Sequence, residues 1–249
     1  MTTSGSYGFN PSLGELVLYA YNIIGVRNTS LLQEHMTAAR MATNMMLSRW
    51  SNQGVNLWKV DLEIVPLVAG QSVYAVDPST VVILDAYVTI DNGNGYPIDR
   101  TIMPVSRTEY ASYPNKNQQG FVTTFWFDRL NSGSDMAGPG ATQTPTAITG
   151  PQVALWPVPD GSTAQYLKYY RVVQAQTANF ANGQTVDIPF LWMEAFADGL
   201  AFRLAKIWAP QMAQGLKAMA DESYQIAADQ NIETAQQYIA PQLSGYYRP

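Results

Sequence analysis

The chain has 249 residues, 47% apolar and 13% charged, with a net charge of −5, one histidine and no cysteine. That is enough to bury a sizeable core as one large or two small domains, but the charged share is about half the usual ~25%, which predicts that part of the surface faces other subunits. The composition excludes disulfides and thiolate metal sites, tight sequence-specific nucleic-acid binding by a basic cluster, and a membrane-spanning run of 18 apolar residues.

Met1–Ser6 has neither a basic nor an apolar region, so no secretory signal is expected. Ser12-Leu13-Gly14-Glu15 fits a capping box, and Leu13, Leu16, Val17, Ala20, Tyr21 and Ile24 recur behind it at helical spacing. A first helix should run to about Gly25. Ser30-Leu31-Leu32-Gln33 reads as a second capping box. It opens a helix striped by Met36, Ala39, Thr43, Met46 and Trp50, about 35 Å long at 1.5 Å per residue. Gly54 is its expected stop. The short polar turn between the two helices predicts an antiparallel hairpin.

From Val55 the pattern changes to runs rich in β-branched and aromatic residues. Strands are expected over 57–65, 71–76, 81–90, 121–127, 153–157 and 165–173. Ala69-Gly70 and Asp91–Gly95 read as hairpin turns, Ser106–Tyr113 as a short helix, and Asn131–Gly150 as a long polar loop of the kind that serves function. Helix resumes at Asp187-Ile188-Pro189, with proline near the first turn. One apolar stripe there is Trp192, Ala195, Gly199 and Phe202, and another is Phe196, Leu200, Leu204 and Ile207, so this helix is buried on two sides. Trp192, Phe196, Phe202 and Trp208 are its subunit-interface candidates. Pro210 breaks it, and a last helix carries Met212, Leu216, Met219 and Ile226.

These elements give an α+β chain. Helix pairs over 1–56 and 186–231 should pack as one antiparallel bundle, with a β-rich domain over 57–185 inserted between them and an extended tail over 232–249. Trp50, Gly54, Leu57 and Trp58 form the junction, with Trp50 ending the bundle stripe and Trp58 starting the β core. The tail is nearly uncharged yet carries Tyr238, Ile239, Pro241, Leu243, Tyr246, Tyr247 and Arg248, which predicts anchoring in a partner groove.

No constellation for catalysis emerges. His35 stands in Glu34-His35-Met36-Thr37, which matches no metal or catalytic motif, and reads as a surface or half-buried helical residue. One histidine without cysteine leaves most nucleophile triads impossible. Gly138-Pro139-Gly140 lacks the end of a phosphate loop. Asp91-Asn92-Gly93-Asn94 lacks the glycine position and final glutamate of a calcium loop. Glu194 and Asp198 share a helix face, where a solvated or subunit-facing pair is commoner than an acid–base pair. Met36, Met41, Met45 and Met46 read chiefly as bundle core, and otherwise as an adaptable binding surface. No catalytic residue, cofactor or metal site is expected.

Several stretches together resemble the head-to-tail adaptor proteins of tailed phages, above all the portal-bound adaptor of short-tailed phages, the tail accessory or tubular tail protein type. They are Met46-Leu47, Trp50, Gly54, Asn56-Leu57-Trp58, Pro66, Gly70-Gln71 and Tyr74, then Leu155-Trp156-Pro157-Val158-Pro159. Ile188-Pro189 with Trp192, Ala195, Gly199-Leu200-Ala201 and Leu204-Ala205 completes the likeness, which runs from about Ser12 to Asp229. The resemblance implies a structural virion protein at the head-tail junction, assembled in the host cytoplasm. It implies a dodecameric ring under the portal protein that extends the DNA channel, retains packaged DNA by non-specific proximity, and supports the tail nozzle and fibres. It implies a free chain that waits as a monomer, and a C-terminal segment that reaches the portal. A longer loop over 131–150 departs from the pattern. The competing reading is a receptor- or carbohydrate-binding fibre or baseplate part, with a β module on a helical stalk.

Overall fold

A computed structural model of the chain describes residues 5, 8–54, 57–91, 93, 95–129, 150–180 and 183–231. The protein is of mixed α+β class. Among the described residues it has five α-helices: α1 (Leu13–Ile23), α2 (Gln33–Ser51), α3 (Arg107–Ser112), α4 (Met193–Trp208) and α5 (Ala213–Asp229). Seven strands, β1 (Val60–Pro66), β2 (Val73–Ala75), β3 (Thr80–Asp91), β4 (Ile98–Pro104), β5 (Thr124–Asp128), β6 (Gln152–Trp156) and β7 (Ala164–Val173), form one curled sheet in the order β1-β7-β3-β4-β5-β6-β2. The residues divide into two compact units, one drawn from 1–43 and 180–249 and the other from 44–179.

In the first unit α1 begins as its sequence dictates. The Ser12 hydroxyl accepts from the Glu15 N–H at 3.3 Å, and the Ser12 N–H donates to the Glu15 carboxylate at 2.7 Å, satisfying two otherwise orphaned donors. The start of α2 differs from expectation. Ser30 ends the 3-10 turn Asn28–Ser30, three residues before α2 begins, and its hydroxyl donates to the Arg27 carbonyl at 2.8 Å. The His35 Nδ1 instead accepts the Leu32 N–H at 3.1 Å. α1 packs on α4, and α4 on α5. The buried face of α4 alternates Ala195, Ala197, Ala201 and Ala205 with Phe196, Leu200 and Leu204, so small residues bring backbones close while large ones fill the grooves.

In the second unit β1 and β7, β7 and β3, and β3 and β4 pair antiparallel. β4 then pairs parallel with β5, and β5–β6 and β6–β2 continue antiparallel. The sheet curls around one core, to which Tyr74, Val88, Ile102, Phe125, Leu155, Leu167 and Tyr169 contribute and against which Val65 of β1 packs. A β-bulge sits between Ile83 and Ala86 of β3, opposite Arg171 and Tyr169. It shifts the alternation, so Ile83 and then Ala86 and Val88 all turn into the core. On the other face of the β5–β6 half lies α3, capped by Ser106. Tyr113 there stacks on Trp156 at 4.2 Å, and Tyr110 lies 5.4 Å from Trp126. β4 was not expected as a strand, because it reads Ile-Asp-Arg-Thr-Ile-Met-Pro and buries only Ile102. The tight approach of two loops explains one glycine: Gly161 has φ of 75°, and a Cβ there would lie 2.6 Å from the Ala69 Cβ.

Trp50 closes α2 at 6% exposure. Trp50→Ala is expected to cost about 3–5 kcal/mol of unfolding free energy, and the same change at half-buried Trp58 is expected to cost less. Urea unfolding of the two variants measures both.

Candidate assembly surfaces

The lone histidine is buried at 8% exposure, not at the surface. Its ring stacks on Trp208 with centroids 4.1 Å apart and meets Tyr21 edge-on at 5.6 Å. The Tyr21 hydroxyl donates to the His35 carbonyl, and burial pushes that phenol's pKa up to about 12. His35 therefore pins α1, α2 and α4 together inside the first unit. Trp192 is buried and meets Tyr224 edge-on at 5.4 Å, and Phe196 is fully buried. Phe202 and Trp208 are half-buried, with the Lys206 ammonium 4.5 Å over the Phe202 ring. What this unit leaves exposed is a different set: Phe9 against Phe190 at 6.2 Å, and the methionine and isoleucine positions of the outer helix faces.

The second unit is organised electrostatically by Arg171 of β7. Its guanidinium lies 2.9 Å from the Glu63 carboxylate, 3.2 Å from Asp61 and 3.3 Å from Asp77, and donates to the Thr80 hydroxyl at 3.0 Å. Asp61 and Glu63 stand opposite Arg171 and Tyr169 in the ladder, so both carboxylates turn toward the core side of the sheet. Strand alternation then forces Leu62 and Ile64 outward, where they are 38% and 53% exposed. There they join the outward Tyr166 and Tyr170 of β7, while Lys168 lies 5.8 Å over the Tyr87 ring. This outer face is apolar and aromatic, the reverse of the usual polarity of an edge strand. The sequence signal was the acid–apolar alternation Asp61-Leu62-Glu63-Ile64, which marks a strand without saying which side faces in.

At the C-terminal end of α2 the Asn44 amide clamps a neighbouring segment. Its Nδ2 donates to the Ala178 carbonyl and its Oδ1 accepts the Ala178 N–H, both at 2.9 Å. Beside this clamp lies a cavity of about 250 Å³ lined by residues that include Asn44, Ser48, Asn52, Gln174 and Gln176, with no acid, lysine, arginine or histidine in its wall. Its described lining offers neutral hydrogen bonding. Of the junction residues, Trp50 is buried and Trp58 half-buried in this unit, and Leu57 opens the short 3-10 turn Leu57–Lys59. Gly54 follows α2 with φ of 146°, a conformation that favours glycine. The tail residues Tyr238, Ile239, Pro241, Leu243, Tyr246, Tyr247 and Arg248, and the loop 131–149, lie outside the described residues. Among the described residues no group of three or more metal-capable side chains occurs, and no helix is long and apolar enough to cross a membrane.

Residues 26–243 match the family model described as SU10 adaptor protein. The match spans most of the chain, so the chain belongs to that family of phage structural adaptors. No curated protein matches it.

Removing the guanidinium leaves its carboxylates facing one another. Because these are partly solvated, Arg171→Met is expected to cost about 2 kcal/mol, below the full cost of breaking a buried pair. Hydrogen bonds from the Ser79 hydroxyl and N–H, with Arg171 adding to them, hold the Asp77 carboxyl below its ordinary value. A lowered folded pKa means that this stability is present above the unfolded value, near 4, and is lost as pH falls through the folded value. Unfolding free energies between pH 7 and pH 2 should therefore fall less steeply in Asp77→Asn than in the parent chain.

Proposed function

We propose that the chain is a structural virion protein at the head-to-tail junction of a tailed phage. It docks under the portal as a dodecameric ring, extends the DNA channel, retains packaged DNA, and offers attachment to the tail nozzle and fibres. The observation that carries this reading is the adaptor-family match over residues 26–243. The physical features agree with it. Charged side chains make up 13% of the chain, and apolar side chains stand exposed in both units, on the outer helix faces and on the outer sheet face. Such surfaces mark sites of association. The net charge of −5 without a basic cluster suits a channel wall past which DNA slides, and gives little counterion release on binding it. The helices of the two chain ends form the ring's wall as one bundle in this proposal.

A mass measurement of the purified chain bound to portal rings tests the ring: twelve copies per portal are expected, and one or two copies would end the proposal. The C-terminal segment is the proposed portal anchor. Deleting Tyr238–Pro249 should leave the melting temperature within about 2 °C of the parent, as expected of a segment that anchors in a partner and not in its own subunit. Attachment to portal rings should be lost in the same variant. Wild-type attachment by the truncated chain would assign docking elsewhere.

A further inference from the structure

We propose that the free edge of β1 is a docking site for an extended segment of another polypeptide, one that alternates apolar with basic residues and adds to the sheet as a further strand. The proposal stands on the geometry of the second unit and goes beyond the adaptor reading above without depending on it. β1 is the end strand of the sheet and pairs with β7 on one side. Among the described residues no backbone group bonds to its other side. An unpaired edge of this kind is a template for a strand from another chain.

The hydrogen bonds fix which residues serve that edge. The Leu67 N–H donates to the Gln165 carbonyl at 2.9 Å, one step beyond the pair Pro66–Tyr166 in the ladder. In an antiparallel pair, successive residues alternate between bonding across the ladder and turning their N–H and C=O away from it. Val65, Glu63 and Asp61 therefore bond to β7, while Ile64 and Leu62 turn their backbone groups to the free side. The same two residues carry side chains of the outer face, 53% and 38% exposed, and Tyr170 stands directly across from Leu62. Each thus offers an incoming strand both main-chain hydrogen bonds and apolar contact. Pro66 has no N–H to give and closes the edge at one end.

Charge selects the occupant. On the core side of the edge the Arg171 guanidinium faces the carboxylates of Asp61, Glu63 and Asp77, whose side chains remain 60%, 30% and 45% exposed. One cation among three acids leaves an excess of negative charge within reach of an added strand. A second copy pairing antiparallel through this edge would set Asp61 and Glu63 on the same face as their own counterparts, and like charges so placed oppose pairing. A strand with lysine or arginine on that face gains complementary pairs instead. The outer face asks for the opposite. Lys168 stands across from Ile64 there, its ammonium 5.8 Å over the Tyr87 ring, so a further cation is disfavoured, and an apolar side chain packs on Leu62, Ile64 and Tyr170. With a side-chain period of two, basic on one face and apolar on the other is alternation along the incoming segment.

The purified full chain and short end-capped peptides of about ten residues test this. By fluorescence anisotropy, a peptide alternating valine with lysine should bind at least tenfold more tightly than one alternating valine with glutamate. Its fully N-methylated form keeps the side chains, loses the backbone donors, and should also bind at least tenfold less tightly. In NMR hydrogen exchange of the free chain, the Leu62 and Ile64 amides should exchange fast and those of Glu63 and Val65 slowly. The lysine peptide should slow the first two at least tenfold. Ile64→Pro removes an N–H that faces away from β7, a place where an edge strand tolerates proline, and should abolish that binding while the chain stays folded. Failure of the lysine peptide to bind, equal binding by the glutamate or N-methylated peptide, or binding that leaves Leu62 and Ile64 unslowed overturns the docking edge. Slow exchange of both amides in the free chain overturns it too: where the slowing grows with protein concentration the occupant is a second copy, and where it does not the occupant is a segment of the same chain. Each of these outcomes leaves the adaptor reading in place.

Discussion

One guanidinium decides which way the edge of the sheet faces. Arg171 gathers Asp61 and Glu63 of β1 and Asp77 of the β2–β3 connection, so those carboxylates must lie on the core side of β1. With a side-chain period of two, placing the acids inward commits Leu62 and Ile64 to the outside. A one-residue slip of β1 would restore apolar-in, polar-out alternation. It would also take Asp61 and Glu63 away from a buried arginine, leaving Asp77 as its one carboxylate partner, at a cost of several kcal/mol. The ion network therefore holds β1 in the register that exposes an apolar face. In the same stroke it ties the edge strand to β7, which pairs with both β1 and β3.

The helical unit solves a related problem with few charges. The buried face of α4 alternates alanines with Phe196, Leu200 and Leu204 and carries no charge. The stack of His35 on Trp208, with Tyr21 at its edge, uses the only histidine as a flat filler that also caps the start of α2. An imidazole can do this because one ring nitrogen accepts the Leu32 N–H while the ring face packs. The consequence is that the large aromatics Trp192 and Phe196 are buried within the subunit. The apolar surface left over is carried by Phe9, Phe190 and Leu191 and by methionine, isoleucine and tyrosine on outer faces.

Sequence reading recovers the elements whose signals are local. The Ser12–Glu15 capping box, the proline-led restart at Pro189 and six of the seven strands are legible, since caps, turns and alternation act over a few residues. Features decided by distant partners are not. The Ser30 cap fails because Ser30 closes a 3-10 turn three residues before α2 begins, and His35 takes the Leu32 N–H instead. β4 escapes because a strand that buries one side chain has no alternation to read. The bulge at Ile83–Ala86 escapes because it appears only against β7. Arg171 reads as an ordinary solvent-facing strand residue until the fold brings acids to it from β1 and from the β2–β3 connection. The methionines of α2 were legible as helical positions read chiefly as core, but Met41 and Met45 are exposed while Met46 is buried, because the same residue type serves core and surface.

The modest size of the exposed ridges bears on when a ring of this kind could form. Burying one methionine or isoleucine contributes about 1.5–3 kcal/mol at best, and these side chains are already partly covered in the free subunit. A rim charge pair adds about 1 kcal/mol or less. Association of two free subunits costs about 4–15 kcal/mol in lost translational and rotational freedom. A few such contacts come close to that cost without clearly exceeding it, so a pairwise complex in solution is weak. On a template the balance changes: a subunit already held by another contact has lost most of that freedom, and its neighbours act at high effective concentration. In the proposed ring each subunit also meets two neighbours, so closure adds an interface without ordering a further subunit. Weak, adaptable ridges are therefore what a ring assembled on a portal requires. Strong ones would drive heterologous contacts to open filaments before any template was met.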